Sequence, residues 1–183
     1  MKQQLRQQIR VARQGLTPQE KAFKSMQIQQ RVFPLLKDES HVFLYQACPQ
    51  EVQTTWLFEH LKQHVFAPMT KPDAHMTWLR IHEDTIWEKG CFSIFEPSNG
   101  EQWNPSQSPI TIICPLLAFD RQGHRLGQGM GCYDRWLSRY GMHVKQIIAF
   151  AFSCQELPSI PHETHDYPIN AIITEHEKIK VKP

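Results

Sequence analysis

No stretch of this chain stays apolar for anything near the roughly 20 residues that a membrane-spanning helix needs. The first residues, Met-Lys-Gln-Gln-Leu-Arg, lack the apolar core of a secretory signal. A cytoplasmic protein with no membrane partner is therefore the expectation. No Cys-x-x-Cys pair occurs among the five cysteines, Cys48, Cys91, Cys114, Cys132 and Cys154. Their odd number and wide spacing argue against a disulfide framework or a zinc ribbon, and favour a reducing compartment. A surplus of one charge is also missing: the formal net charge is +2. That balance speaks against a protein built to coat nucleic acid, while leaving room for a local cationic pocket around a small polyanion. No repeat, low-complexity tract or linker interrupts the 183 residues, so a single domain over 1–183 is expected. The hydrophobic share of 40%, with 10 Phe and 5 Trp, is enough to build a self-sufficient core.

Two standard phosphate signatures are absent. There is no Gly-x-x-x-x-Gly-Lys-Ser/Thr loop, and the glycines do not fall in the Gly-x-Gly-x-x-Gly pattern of dinucleotide-binding folds. What the chain has instead is a concentration of its 8 glycines on alternate positions: Gly127, Gly129 and Gly131. Arg125 precedes them, and Tyr133, Asp134 and Arg135 follow on a predicted helix. Glycines of this kind let backbone N–H groups approach an anion closely, and a helix start adds a favourable dipole. The first reading of residues 118–136 is a phosphate-holding loop; the plain alternative is a flexible turn between two core elements.

The rest of the chain alternates helix and strand signals. Leu5, Ile9 and Ala12 set the apolar side of an amphipathic helix, with Lys2, Arg6, Arg10 and Arg13 around it, a basic face that could be merely solvated. Thr17-Pro18-Gln19-Glu20 is a capping box with proline at the first helical position, and predicts a helix ending near Pro34. Residues 41–45 and 65–68 read as strands flanking a helix capped by Thr54. Residues 76–81 alternate as a half-exposed strand, and 83–108, with Pro97, Gly100 and Pro105, read as mostly loop and as the place for a mobile segment. Residues 110–114 and 146–152 are continuous apolar strands of the buried, parallel kind. Helix 132–140 lies between them, and 170–174 ends the series. Strands alternating with helices predict an α/β fold with a parallel sheet.

Residues 118–135, Ala-Phe-Asp-Arg-Gln-Gly-His-Arg-Leu-Gly-Gln-Gly-Met-Gly-Cys-Tyr-Asp-Arg, resemble the signature of the 5-formyltetrahydrofolate cyclo-ligase family. Weaker matches follow in the family's order: Lys2-x-x-Leu5-Arg6 with Arg10 and Arg13, Glu51-Val52-x-Thr54, Pro68, Glu96-Pro97, the strand into Pro115, and Leu157-Pro158 through His165-Asp166 to Ile173-Thr174-Glu175. The resemblance implies a three-layer, open, mostly parallel α/β sheet with helices on both faces, CoA-transferase-like. It also implies ATP-dependent closure of 5-formyltetrahydrofolate, with or without a polyglutamate tail, to 5,10-methenyltetrahydrofolate by a monomer using ATP and Mg²⁺. By matched position, Arg125, Tyr133 and Asp134 would act at the reacting groups. Lys2, Arg6, Arg125, Gly127, Gly129, Gly131, Cys132, Tyr133, Asp134 and Arg135 would hold ATP. Gln46, Glu51, Gln128, Gly129, Met130, Gly131 and Cys132 would meet the folate, with Asp134 and Asp166 on the metal.

Plainer readings stand beside these. Asp134 could be a dipole partner in a first helical turn, Asp166 an Asx-turn before Pro168, Glu51 an ordinary exposed charge and Tyr133 a core residue. The chain departs from the family pattern at Gln53, where aspartate is usual, and at Gln128 and Met130, where only backbone contacts carry over. Cys132 replaces a frequent tyrosine, and reads as a small buried filler or as a thiol activated by the helix start. His162-Glu163-Thr164-His165 lacks zinc-protease spacing, and His60 with His64 has no third ligand nearby. Two other functions stay open: a folate- or nucleotide-binding protein without turnover, and a phosphosugar- or CoA-handling enzyme on a similar sheet.

Overall fold

The structure, a computed structural model, describes residues 2–61, 65–162 and 167–181. Its first helix, α1 (Lys2–Gln14), buries Ile9 and Arg13. Helix α2 (Pro18–Leu36) starts on the expected capping box: the Glu20 N–H donates to Thr17 Oγ1, and Glu20 Oε2 accepts from the Thr17 N–H (2.7 Å). It runs two residues past Pro34 rather than stopping there. Proline forfeits its own N–H so close to the helix end, and the Lys37 N–H still reaches the Phe33 carbonyl at 3.0 Å.

Then come β1 (Val42–Leu44), α3 (Thr55–His60), β2 (Val65–Thr70) and β3 (Met76–Arg80). Thr54 occupies the N-cap position of α3 but makes no cap hydrogen bond; its hydroxyl donates to the Tyr45 carbonyl instead (2.8 Å). That tie fastens the loop after β1 to the start of α3. The 83–108 segment, expected as loop, contains an antiparallel hairpin of β4 (Trp87–Lys89) and β5 (Phe95–Pro97). Next are β6 (Ile110–Pro115), the short hairpin β7 (Ala118–Phe119) and β8 (Arg125–Leu126), and helix α4 (Cys132–Tyr140). The chain finishes with β9 (Val144–Phe150), β10 (Ala171–Ile173) and β11 (Lys178–Lys180).

Seven strands form one mixed sheet in the order β11-β10-β9-β6-β1-β2-β3. The five inner strands are parallel, and antiparallel β11 and β3 close its edges. Side chains alternate between faces, as the pleat requires. Val42, Leu44, Ile113, Ile148 and Phe150 point to α2 and α3, where they meet Ile28, Val32, Leu36 and Leu57. Phe43, Ile112, Ile147 and Ala149 point the other way, toward Trp136 and Leu137 of α4. The runs that read as continuously apolar in sequence are apolar because both faces are covered.

Helix α1 belongs to neither layer. Its Ile9 packs with Leu117, Ala118, Leu126, Leu157 and Ile160 in a third cluster beyond the carboxyl end of β6. This places α1 over the glycine loop. Strand order supplies the other half of the site. From β1 the chain goes outward to β2, then returns to β6 on the opposite side, so the succession reverses between β1 and β6. In open α/β sheets such a switch point leaves a crevice at the strands' carboxyl ends, where ligands bind.

Candidate active site

A cavity of about 440 Å³ opens at that crevice. Tyr45 and Gln46, just past β1, and Pro115, Leu116 and Leu117, at the end of β6, form its base. Lys2 and Arg6 enter from α1, one helical turn apart, and Arg125 from β8. Residues 127–131 and the first turn of α4, Cys132, Tyr133 and Asp134, complete the polar side. Pro68, Thr70 and Met76 from β2 and β3 face Phe92, Ile94 and Glu96 of the β4–β5 hairpin across the more apolar side. Such a mixture of apolar walls and a few convergent polar groups is characteristic of small-molecule sites.

The glycine loop is clamped by α1. Arg6 Nε donates to the Gly127 carbonyl (3.0 Å), and Arg10 Nη2 donates to Gln128 Oε1 (3.1 Å). The alternate glycines differ in what they permit. Gly129 (φ +107°) and Gly131 (φ +65°) adopt backbone conformations that side chains disfavour, and the Arg6 guanidinium lies 3.6 Å from where a Cβ on Gly129 would sit. Gly127 has an ordinary φ, and nothing lies within 4 Å of its would-be Cβ. Gly131 is the N-cap of α4 and has no side chain to bond the first-turn N–H groups. The positive end of the helix is therefore left to an anion from the cavity.

Arg125 Nη2 donates to Asp134 Oδ1, while its buried Nε has no acceptor among the described residues. The Tyr133 hydroxyl is likewise buried, without a partner among the described residues, and burial holds its phenol well above the usual range. Glu51 is far from an ordinary exposed charge. Burial pushes its carboxyl up, partly countered by hydrogen bonds from Cys48 and by the positive charge of Arg13. Its Oε2 accepts from the Cys48 N–H (3.0 Å). Glu96, also raised by burial, accepts from the Thr70 N–H (3.2 Å).

Every residue expected at the ATP or folate sites lines this cavity except Arg135. The Arg135 guanidinium turns back to the Met130 carbonyl (2.6 Å), so within the structure it braces the loop. Asp166, expected on the metal, lies outside the described residues, as do His64, Glu163, Thr164 and His165. Among the described residues no group of three or more His, Cys, Asp or Glu is placed to hold a metal. Asp134, a hard oxygen donor beside the glycine loop, is the described residue that would hold a magnesium ion. Cys132 is not an activated thiol: burial raises it, with Arg135 acting the other way, and it packs beside the α4 core. His60 stacks on Trp56 (4.1 Å between centroids), and its Nδ1 lies 2.8 Å from the Trp56 carbonyl.

Sequence reasoning missed Thr70, Met76, Phe92 and Ile94 as site residues. They reach the cavity through long-range pairing of β2 with β3 and through a hairpin inside a segment rich in turn residues. Glu96-Pro97 was the available signal there.

Residues 1–175 match the sequence profile of the 5-formyltetrahydrofolate cyclo-ligase family. A 5-formyltetrahydrofolate cyclo-ligase from Haemophilus influenzae is 29% identical over 94% of this chain and 96% of its own length. The enzyme of that name from Escherichia coli is 29% identical over 91% and 96%. Among solved structures, a 5,10-methenyltetrahydrofolate synthetase from Aquifex aeolicus superposes with a TM-score of 0.85 at 29% identity, covering 100% of this chain and 93% of the other.

Proposed function

The chain belongs to the 5-formyltetrahydrofolate cyclo-ligase family, and from that premise we propose that its cavity carries out ATP-dependent closure of 5-formyltetrahydrofolate to 5,10-methenyltetrahydrofolate. The observation that carries this reading is one of convergence. Two α1 cations, Arg125 and an uncapped helix start meet on the glycine loop, in the same cavity that holds the half-buried Glu51 carboxylate and the apolar hairpin. A polyphosphate and a partly apolar heterocycle need opposite environments, and this cavity offers both.

A formamide carbonyl is a poor electrophile, and phosphorylation solves that problem. The formyl oxygen attacks the γ-phosphorus, and ADP leaves. N10 then adds to the activated carbon and loses its proton, and phosphate departs with the former formyl oxygen. The chain needs no covalent nucleophile for this; positioning and charge neutralisation suffice. Lys2 and Arg6 hold the phosphate chain. Arg125 and the N–H groups at the start of α4 receive the charge that builds on the transferred phosphoryl group. Glu51 accepts hydrogen bonds from the amino-pyrimidine edge of the pterin, and Tyr133 donates its unpartnered hydroxyl to the bound ligands. Asp134 would hold a magnesium ion, which supplies neutralisation of phosphate charge when bound.

The departures from the family pattern leave Lys2, Arg6 and Arg125 in the cavity. The Gln53 amide donates to the Cys48 and Glu51 carbonyls (3.0 and 3.1 Å) and so braces the Glu51 loop from outside the cavity. Gln128 is held by Arg10, and Met130 is 48% exposed. Incubating the protein with ATP, magnesium and 5-formyltetrahydrofolate should release ADP in step with methenyl product, and release should cease without the folate. Saturable folate binding with no ADP released would establish the binding-protein alternative instead.

A further inference from the structure

Among the described residues three carboxylates line the cavity, Glu51, Glu96 and Asp134, and no histidine does. Two of them already have a part in the reaction: Glu51 meets the amino-pyrimidine edge, and Asp134 pairs with Arg125 on the phosphate side. Glu96 has none. It belongs to β5, on the apolar side of the cavity with Pro68, Met76, Phe92 and Ile94, and is 7% exposed. Its Oε2 accepts from the Thr70 N–H at 3.2 Å, and its carboxyl group packs so closely on Gly90 that a Cβ there would run into it. Burial raises it, with the Thr70 hydrogen bond acting the other way and no cation beside it among the described residues.

Fastening the hairpin to β2 does not account for a carboxylate. A glutamine oxygen would receive the Thr70 N–H as well, without placing a charge in apolar surroundings. A carboxylate has about four acceptor positions, and the Thr70 N–H takes one of them. The others are available to whatever occupies the cavity.

The substrate offers the matching donor. With its amino-pyrimidine edge at Glu51 and its formyl oxygen at the glycine loop, the folate has its apolar p-aminobenzoyl ring left for the apolar side. N10 is the amine of that ring, so its N–H comes to the wall that carries Glu96. N10 must also lose a proton. Its adduct with the activated carbon is an ammonium, and a protonated N10 leaves more readily than phosphate, so the addition reverses until the proton is removed.

We propose that Glu96 is the base that takes the N10 proton. As the N10–C bond forms, the N10–H bond breaks and the proton passes to the Glu96 carboxylate. The freed N10 lone pair then expels phosphate, which leaves with the electron pair of the C–O bond. Glu96 passes its proton on through solvent to that phosphate and is a carboxylate again. The inference rests on the cyclo-ligase reading of the cavity.

Single turnovers of wild type and Glu96→Gln, with ADP and methenyl product followed separately, test it. Glutamine keeps the acceptor for Thr70 but cannot take a proton. Glu96→Gln should form ADP at close to the wild-type rate and methenyl product about 10²-fold more slowly, so that ADP runs ahead of product. Its KM values for ATP and folate should stay within about threefold of wild type, since the groups that bind them are untouched. Unchanged rates, both steps slowed together, or a raised folate KM with unchanged rates would each overturn the inference. Should Glu96→Gln not fold, a structure of wild type with ADP and 5-formyltetrahydrofolate decides. A Glu96 oxygen within about 3.2 Å of N10 supports the proposal, and N10 facing any other group contradicts it. Failure of the cyclo-ligase reading itself would show separately, as wild type releasing no ADP.

Discussion

How much positive charge the cavity shows a phosphate depends on the pairing of Arg125 with Asp134. The two side chains lie on successive elements, β8 and α4, and the loop between them supplies the backbone donors. Replacing Asp134 with Asn removes the carboxylate suited to a metal and frees Arg125, while leaving the core unaltered. Turnover should fall about 10²- to 10³-fold with an unchanged melting temperature, since what is lost is charge stabilisation in the transition state. An active, folded Asp134→Asn protein would remove Asp134 from the mechanism. The glycines separate in a similar way. Alanine at Gly129 must adopt φ +107° beside the Arg6 guanidinium, which should cost about 1–3 kcal/mol. The same change at Gly127 meets open space and an ordinary φ, so thermal melting should detect the first and not the second. In sequence the three glycines look alike, because the sign of φ is set by the clamp from α1 and the start of α4. Arg125, Tyr133 and Asp134 were legible because they flank the loop locally. Phe92 and Ile94 were not, because nothing in their periodicity reports the face of a hairpin.

At the scale of elements, the two long N-terminal helices are each fastened to the sheet's carboxyl end by a few polar ties. Helix α1 grips the glycine loop through Arg6 and Arg10. Helix α2 is tied by Lys24 to Glu175, a pair at 2.5 Å whose carboxylate is nearly fully buried, and Ser153 also donates to it (2.7 Å). Burial pushes the Glu175 carboxyl up, but the hydrogen bonds from Lys24 and Ser153 outweigh it and hold the group below the usual carboxylate value. A carboxyl lowered by folding contributes stability that is full above its unfolded value and is lost as pH falls through its folded one. Lys24→Met removes the lysine that pairs with that carboxylate, and should cost about 3 kcal/mol near neutrality, or roughly 6–12 °C in melting temperature. Melting curves at decreasing pH should show the gap from wild type closing as Glu175 protonates; a gap that persists would place the effect elsewhere. The capping box of α2 was readable because Thr17 and Glu20 are neighbours in the chain. The role of Thr54 was not, because the carbonyl of Tyr45, nine residues away, takes its hydroxyl.

Over the whole molecule, the alternation of helix and strand pointed to a parallel α/β sheet, and the apolar runs at 110–114 and 146–152 marked its centre. Strand order could not be read in the same way, since pairing of β6 with both β1 and β9 is a contest among distant segments. The site follows from that order: the reversal between β1 and β6 makes the crevice, and α1, β8 and α4 bring charge to its rim. In the proposed reaction this crevice couples ATP to folate closure by phosphorylating the formyl oxygen. The direct measurement is to supply 5-formyltetrahydrofolate with an isotopically labelled formyl oxygen and to weigh the inorganic phosphate released over one turnover. Each phosphate formed should carry one labelled oxygen. Unlabelled phosphate accompanying full conversion to the methenyl product would contradict it.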